Sequence, residues 1–318
     1  MKMKKQTESK IKKTVIIIGY KCNNNCVFCI DQEKRDFKEK TLLEILRDIA
    51  QARSEGATYL ELIGGEVTIR PELVKAIKFA KKEGFETIAM ATNGRMFAYD
   101  RVAEEFLKAG LNMVIFSIHG HNTKLHDSLT QSPGSFNQLL KGFTNVKKKL
   151  GLGRLASNTT IVKQNYQHLP AIGGFIGEKL GILNCEFIFV DPSTGGAKTN
   201  FIKLVPKISQ AAPYIKKCLD VGRKLQAPHW HARYVPLCHF GGYENQISEL
   251  HERRAFQTRH LAPDFENQDV EGSRMVIGRI KPQKCRQCGQ FDLCEGLWRG
   301  YYEHFGDKEL KPFKSQRT

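Results

Sequence analysis

The chain has 318 residues, 41% of them hydrophobic and 26% charged, which fits one large globular domain with a small appendage and excludes collagen-like, coiled-coil and wholly disordered chains. Lys and Arg number 50 against 33 Asp and Glu, a formal charge of +17 that favours polyanionic or acidic partners. Nine cysteines are the second unusual quantity.

Residues 1–13 hold six lysines against Glu8 and lack apolar residues that could pack, so a basic mobile tail is expected there. Strand patterns then alternate with helical ones, as in successive βα units around a parallel sheet. Strands are predicted at Val15 to Ile18, Tyr59 to Ile63, Thr87 to Ala91, Met113 to Ile118, Leu155 to Val162 and Cys185 to Val190. Thr41 and Glu44 read as a capping box opening the first helix, Pro71 suits the first turn of the next, and Ser135 with Gln138 reads as another capping box. The lysines of that last helix, Lys141 and Lys147 to Lys149, form a solvated face. Lys207 to Leu225 reads as a closing helix. From Pro228 the alternation is lost, so the chain divides into a core at 14–225 and a cysteine-rich region at 226–318, held by metal more than by a large core. No internal repeat is visible.

No apolar run approaches the ~20 residues that span a bilayer, and the run Val15 to Ile18 is too short for a signal-peptide core. A cytoplasmic location is expected. In reducing cytosol, clustered cysteines are read as metal or catalytic ligands rather than disulfides.

Cys22, Cys26 and Cys29 stand as C-x3-C-x2-C just after the first strand. Three thiolates on one loop hold three irons of a [4Fe–4S] cube and leave the fourth open to a substrate; a zinc site with its fourth ligand elsewhere is the alternative from spacing alone. The motif, with Phe28 at its aromatic position, resembles the signature of the radical S-adenosylmethionine (SAM) superfamily. The resemblance extends over residues 14–225. Gly64-Gly65-Glu66 ends the second strand and is similar to the family's GGE motif, with Val67 in place of the usual proline. Thr92-Asn93-Gly94 follows the third strand, Ser117-Ile118-His119-Gly120 closes the fourth, and Asn158 lies in the fifth.

The resemblance implies a partial (β/α)6 TIM-like barrel in which Gly64, Gly65 and Glu66 hold the SAM amino group, while Ser117 and Asn158 contact its ribose and methionine parts. Phe28, Thr92 and Asn93 fall among the expected cofactor-binding positions. Strand alternation puts Ser117 and His119 on one face, which makes His119 the candidate catalytic side chain, with a structural hydrogen-bonded histidine as the other reading.

Cys285, Cys288 and Cys294, with Cys238 upstream, resemble the C-terminal cluster modules called SPASM and Twitch and imply one auxiliary [4Fe–4S] cluster. Trp298 stands where the full SPASM pattern has a further cysteine, so two auxiliary clusters are not expected. A structural zinc on the same four cysteines is the alternative; with Cys238 as a ligand the auxiliary site is closed, and without it an open iron is left to bind substrate. Cys185 and Cys218 remain as small buried hydrophobes.

For the whole chain the resemblance implies reductive cleavage of SAM, a 5'-deoxyadenosyl radical, hydrogen abstraction from a substrate, and an external electron donor such as flavodoxin or ferredoxin. Peptide or protein oxidation is the first expectation, because such modules occur in peptide maturases. Against it, about 13 residues precede the first strand, too few for a leader-recognition domain. Small-molecule or nucleotide oxidation is the second; the chain ends Gln-Arg-Thr and lacks the terminal Gly-Gly of the molybdopterin-precursor cyclases. RNA modification or a noncatalytic nucleic-acid module is the third, suggested by charge alone, with no recognised RNA-binding motif.

Overall fold

A computed structural model describes residues 10–314. Its main sheet contains β1 (Ile11–Ile17), β2 (Tyr59–Ile63), β3 (Thr87–Thr92), β4 (Met113–Ser117), β5 (Leu155–Ile161), β6 (Asn184–Phe189), β7 (His229–Arg233), β8 (Phe256–Leu261) and β9 (Glu266–Asn267). The spatial order is β7-β6-β5-β4-β3-β2-β1-β8-β9, parallel from β7 through β8, with β9 antiparallel at the edge. The connections carry α1 (Leu42–Ser54), α2 (Leu73–Lys82), α3 (Asp100–Ala109), α4 (Thr123–Thr130), α5 (Ser135–Leu150), α6 (Leu169–Gly174), α7 (Gly195–Thr199), α8 (Phe201–Leu204), α9 (Ile208–Lys224) and α10 (Ser248–Ala255). After β9 come α11 (Val270–Ser273), a small hairpin of β10 (Arg279–Ile280) and β11 (Leu297–Trp298), and α12 (Arg299–Phe305). This is the α/β partial barrel expected.

All six predicted strands are present because one face of each supplies a continuous apolar layer under the helices. Ile16, Leu60, Leu62, Ile88, Met90, Val114, Phe116, Phe187 and Phe189 are buried in that single core. The opposite faces line the barrel interior and are partly charged. Lys13 pairs there with Glu61, and Arg233 with Glu186 at 2.8 Å and with Glu252.

Four expectations are corrected. Residues 1–9 lie outside the described residues, and Ile11 to Lys13, assigned to the tail, instead begin β1, with Ile11 opposite Phe256 and Lys13 opposite both Thr258 and Tyr59. The region 226–318 does not stand apart from the sheet: β7 extends one edge and β8 pairs with β1 on the other. Its strands were hidden because His229, His231, Arg233 and His260 interrupt any apolar run. Pro71 precedes α2, whose N-cap is Glu72. The Ser135–Gln138 box does not form, since Ser135 Oγ donates to Asp127 at 2.8 Å and Gln138 accepts from Arg95. The Thr41–Glu44 box is present, and the four lysines of α5 are exposed.

Candidate active site and metal centres

The end of β1 runs straight into the first cysteine loop, and the end of β2 packs on that junction without room for side chains. A Cβ on Gly64 would stand 2.3 Å from the Gly19 carbonyl oxygen, and one on Gly65 1.9 Å from that of Lys21. Gly64 has φ +109°, a conformation glycine adopts without strain. The Glu66 N–H donates to the Lys21 carbonyl at 2.8 Å, so the Gly-Gly-Glu turn and the cysteine loop form one backbone assembly.

Glu66 is buried, and its carboxylate binds this assembly together. Oε1 accepts from the Thr68 backbone N–H at 3.1 Å, from the Thr68 hydroxyl and from the Thr92 hydroxyl at 2.7 Å, while Oε2 accepts from the Asn93 N–H at 2.7 Å. Burial raises its pKa, opposed by those donors. Three of these four donors bind Oε1, leaving Oε2 the less engaged oxygen. Asn93 reaches the cysteine loop, with Nδ2 2.6 Å from Asn23 Oδ1 and 3.8 Å from Cys22 Sγ.

Two arginines that sequence reasoning missed clamp the loop from either side. Arg95 Nη1 donates to the Asn23 carbonyl and to Asn24 Oδ1 at 2.9 Å; Arg35 Nη1 donates to the carbonyls of Cys22 and Asn24. No spacing rule marks either, because they act mainly on backbone oxygens of the loop.

Ser117 and Asn158 are opposite each other in the β4–β5 register and half-buried. Their place toward the carboxyl ends of parallel strands is where barrel active groups gather. His119 is different. It is buried, accepts the Thr160 N–H on Nδ1 at 3.2 Å, and stacks on His126. Phe28 meets its ring edge-on at 4.7 Å. These contacts match the structural, hydrogen-bonded reading of His119, and the Phe28 side chain shares them.

The thiols of Cys22, Cys26 and Cys29 are free. Burial foremost, then Cys22 and Cys29, pushes the Cys26 thiol up to about 12. Such a donor set needs a compensating cation to ionise, as a cluster's iron supplies. The Asn24 N–H already points at Cys22 Sγ, 3.3 Å away.

Cys238, Cys285, Cys288 and Cys294 line one small pocket, walled by Pro236, Leu237 and Phe291. Cys294 Sγ accepts from the N–H groups of Leu237 at 3.4 Å and Gly296 at 3.3 Å. Burial raises the Cys285 thiol to about 11, followed by the charges of Cys294, Cys238 and Cys288. Among the described residues, no three His, Cys, Asp or Glu side chains already stand at metal-binding spacing, so the fit rests on donor chemistry and the shared pocket. Cys185 and Cys218 are buried in the core.

Residues 16–176 match the radical SAM superfamily, and the chain belongs to it. It is therefore an enzyme of the family that uses SAM and a [4Fe–4S] cluster, which sets aside the noncatalytic nucleic-acid reading. A probable GTP 3',8-cyclase of Saccharolobus solfataricus is 26% identical over 222 residues, 69% of each chain. An Fe-coproporphyrin III synthase of Methanosarcina barkeri is 27% identical over 319 aligned positions, 96% of this chain and 73% of that one. Among solved structures, Streptococcus suis SuiB bound to its precursor peptide SuiA shares the fold over 97% of this chain and 76% of that chain, with TM-score 0.67 at 15% identity. The peptide-bound structure of anSMEcpe does so over 96% of this chain and 92% of that one, with TM-score 0.64 at 13% identity. Among the described residues no helix is long and apolar enough to cross a membrane.

Proposed function

We propose that this chain is a radical SAM oxidase with a second, four-cysteine [4Fe–4S] centre of the Twitch or SPASM kind, acting on a peptide or protein. The observation that carries the second centre is the convergence of Cys238, Cys285, Cys288 and Cys294 on one pocket. When bound, SAM and the first cluster supply a 5'-deoxyadenosyl radical that removes a substrate hydrogen atom.

The chain's own contribution is placement. Gly64 and Gly65 present backbone groups beside the cysteine loop, Glu66, Thr92 and Asn93 hold that backbone still, and Ser117 and Asn158, paired across β4 and β5, would contact SAM when it is bound. Four thiolates leave the second centre no open position, which suits electron acceptance from a substrate radical and a net oxidation. An external donor such as flavodoxin or ferredoxin supplies the first electron, in a reducing cytoplasm consistent with nine free cysteines.

The C-terminal cysteine pattern, on a fold shared with two enzymes solved with bound peptide, supports the peptide reading. Small-molecule oxidation is the second reading, favoured by likeness to the Fe-coproporphyrin III synthase along 96% of the chain. Anaerobic reconstitution tests the centres: about eight irons per chain are expected, falling to about four in Cys285→Ala/Cys288→Ala. About four irons with one zinc in the unmodified chain rules out the auxiliary cluster. Loss of two hydrogens from a candidate peptide, read by mass spectrometry, supports the first substrate reading, and turnover of an iron porphyrin or nucleotide instead replaces it with the second.

A further inference from the structure

Arg35 follows the short helical turn Gln32–Lys34 that leaves the cysteine loop. Its Nη1 donates to the Cys22 carbonyl at 3.3 Å and to the Asn24 carbonyl at 2.8 Å. Arg70, Arg233 and Arg274 pair with carboxylates, whereas Arg35 enters no ion pair among the described residues.

We propose that Arg35 is a positioning residue for the iron–sulfur centre: it fixes the Cys22–Asn24 arch through two carbonyls and sets a positive charge beside the cysteine loop, favouring the reduced centre. Reduction adds one negative charge, and a fixed cation nearby stabilises that state. Both carbonyls accept from Nη1, whose two N–H bonds the planar guanidinium holds in fixed directions, whereas a lysine ammonium turns on a flexible stem; the charge belongs to both. The inference rests on cluster binding by Cys22, Cys26 and Cys29.

The test compares reconstituted wild type, Arg35→Gln and Arg35→Lys. Each is titrated against potential while the EPR signal that changes on SAM addition is followed, with iron content and melting temperature measured on the same samples. Arg35→Gln is expected to shift the midpoint to more negative potential, with the ratio of reduced to oxidised centre at fixed potential falling about tenfold for loss of one partly exposed charge. Arg35→Lys is expected to keep the midpoint and to take up iron more slowly. An unshifted Arg35→Gln midpoint overturns the proposal, and so does an Arg35→Lys midpoint displaced as far as that of Arg35→Gln. If Arg35→Gln does not fold or load, Arg35→Lys decides: a wild-type midpoint with slowed iron uptake supports the proposal, and wild-type uptake overturns it. A wild type with no SAM-responsive signal overturns the cluster assignment itself, whereas a normal wild-type signal with indifferent variants overturns only the role of Arg35.

Discussion

Burial keeps the His119 imidazole neutral: its pKa is pushed down to about 3, by desolvation first and by the nearby His126 second. An unfolded histidine takes up a proton near pH 6.5, and the folded one does not. The stabilisation is therefore complete above about pH 6.5 and is lost as pH falls toward 3. His119→Gln is expected to cost about 1 to 3 kcal/mol at pH 7.5 through the lost Thr160 contact and ring packing. The gap to wild type should narrow at pH 5.5, as read by denaturant unfolding at both pH values; a constant gap refutes the assignment. Alternation along β4 correctly put Ser117 beside the barrel interior, but the turn after Ser117 carries His119 onto Phe28. A period-2 pattern holds no information about a bend beyond its last strand residue.

The helix α5 shows how an element's end depends on another element. Gly134 occupies its N-cap without a side chain to offer. Asp127 of α4 instead accepts from the N–H of Gly134 at 2.6 Å, from the N–H of Phe136 at 2.8 Å, and from Ser135 Oγ at 2.8 Å. Asp127→Ala removes the cap that α4 supplies to α5, and a loss of about 1 to 2 kcal/mol is expected in denaturant unfolding; a change within experimental error contradicts the capping role. Thr41 and Glu44 were legible because donor and acceptor lie three residues apart on one helix. The α5 cap was not, because its acceptor lies on the preceding helix. The strands β1 to β6 were readable from apolar runs, while β7 and β8 direct His231, Arg233 and His260 inward and lose that signature.

At the scale of the molecule, β1 is an interior strand, flanked by β2 and by β8. Arg259 of β8 donates to Thr14 Oγ1 at 3.1 Å across 245 residues of sequence, and Asp264 receives the hydroxyl of Tyr20 just before the cysteine loop. A chain ended at Leu225 keeps every motif that identifies the family, yet it exposes the edge of β1 and removes both contacts. Such an edge invites aggregation, so this truncation is expected to be insoluble or to elute as aggregates in size exclusion; a monodisperse, cluster-loading fragment contradicts it. The non-local pairing also orders events in time. Chains emerge from the ribosome amino end first at about 5 to 20 residues per second, so roughly 12 to 50 s of synthesis separates Thr14 from Arg259. The cysteine loop is thus made well before the strand β8 that completes its side of the sheet.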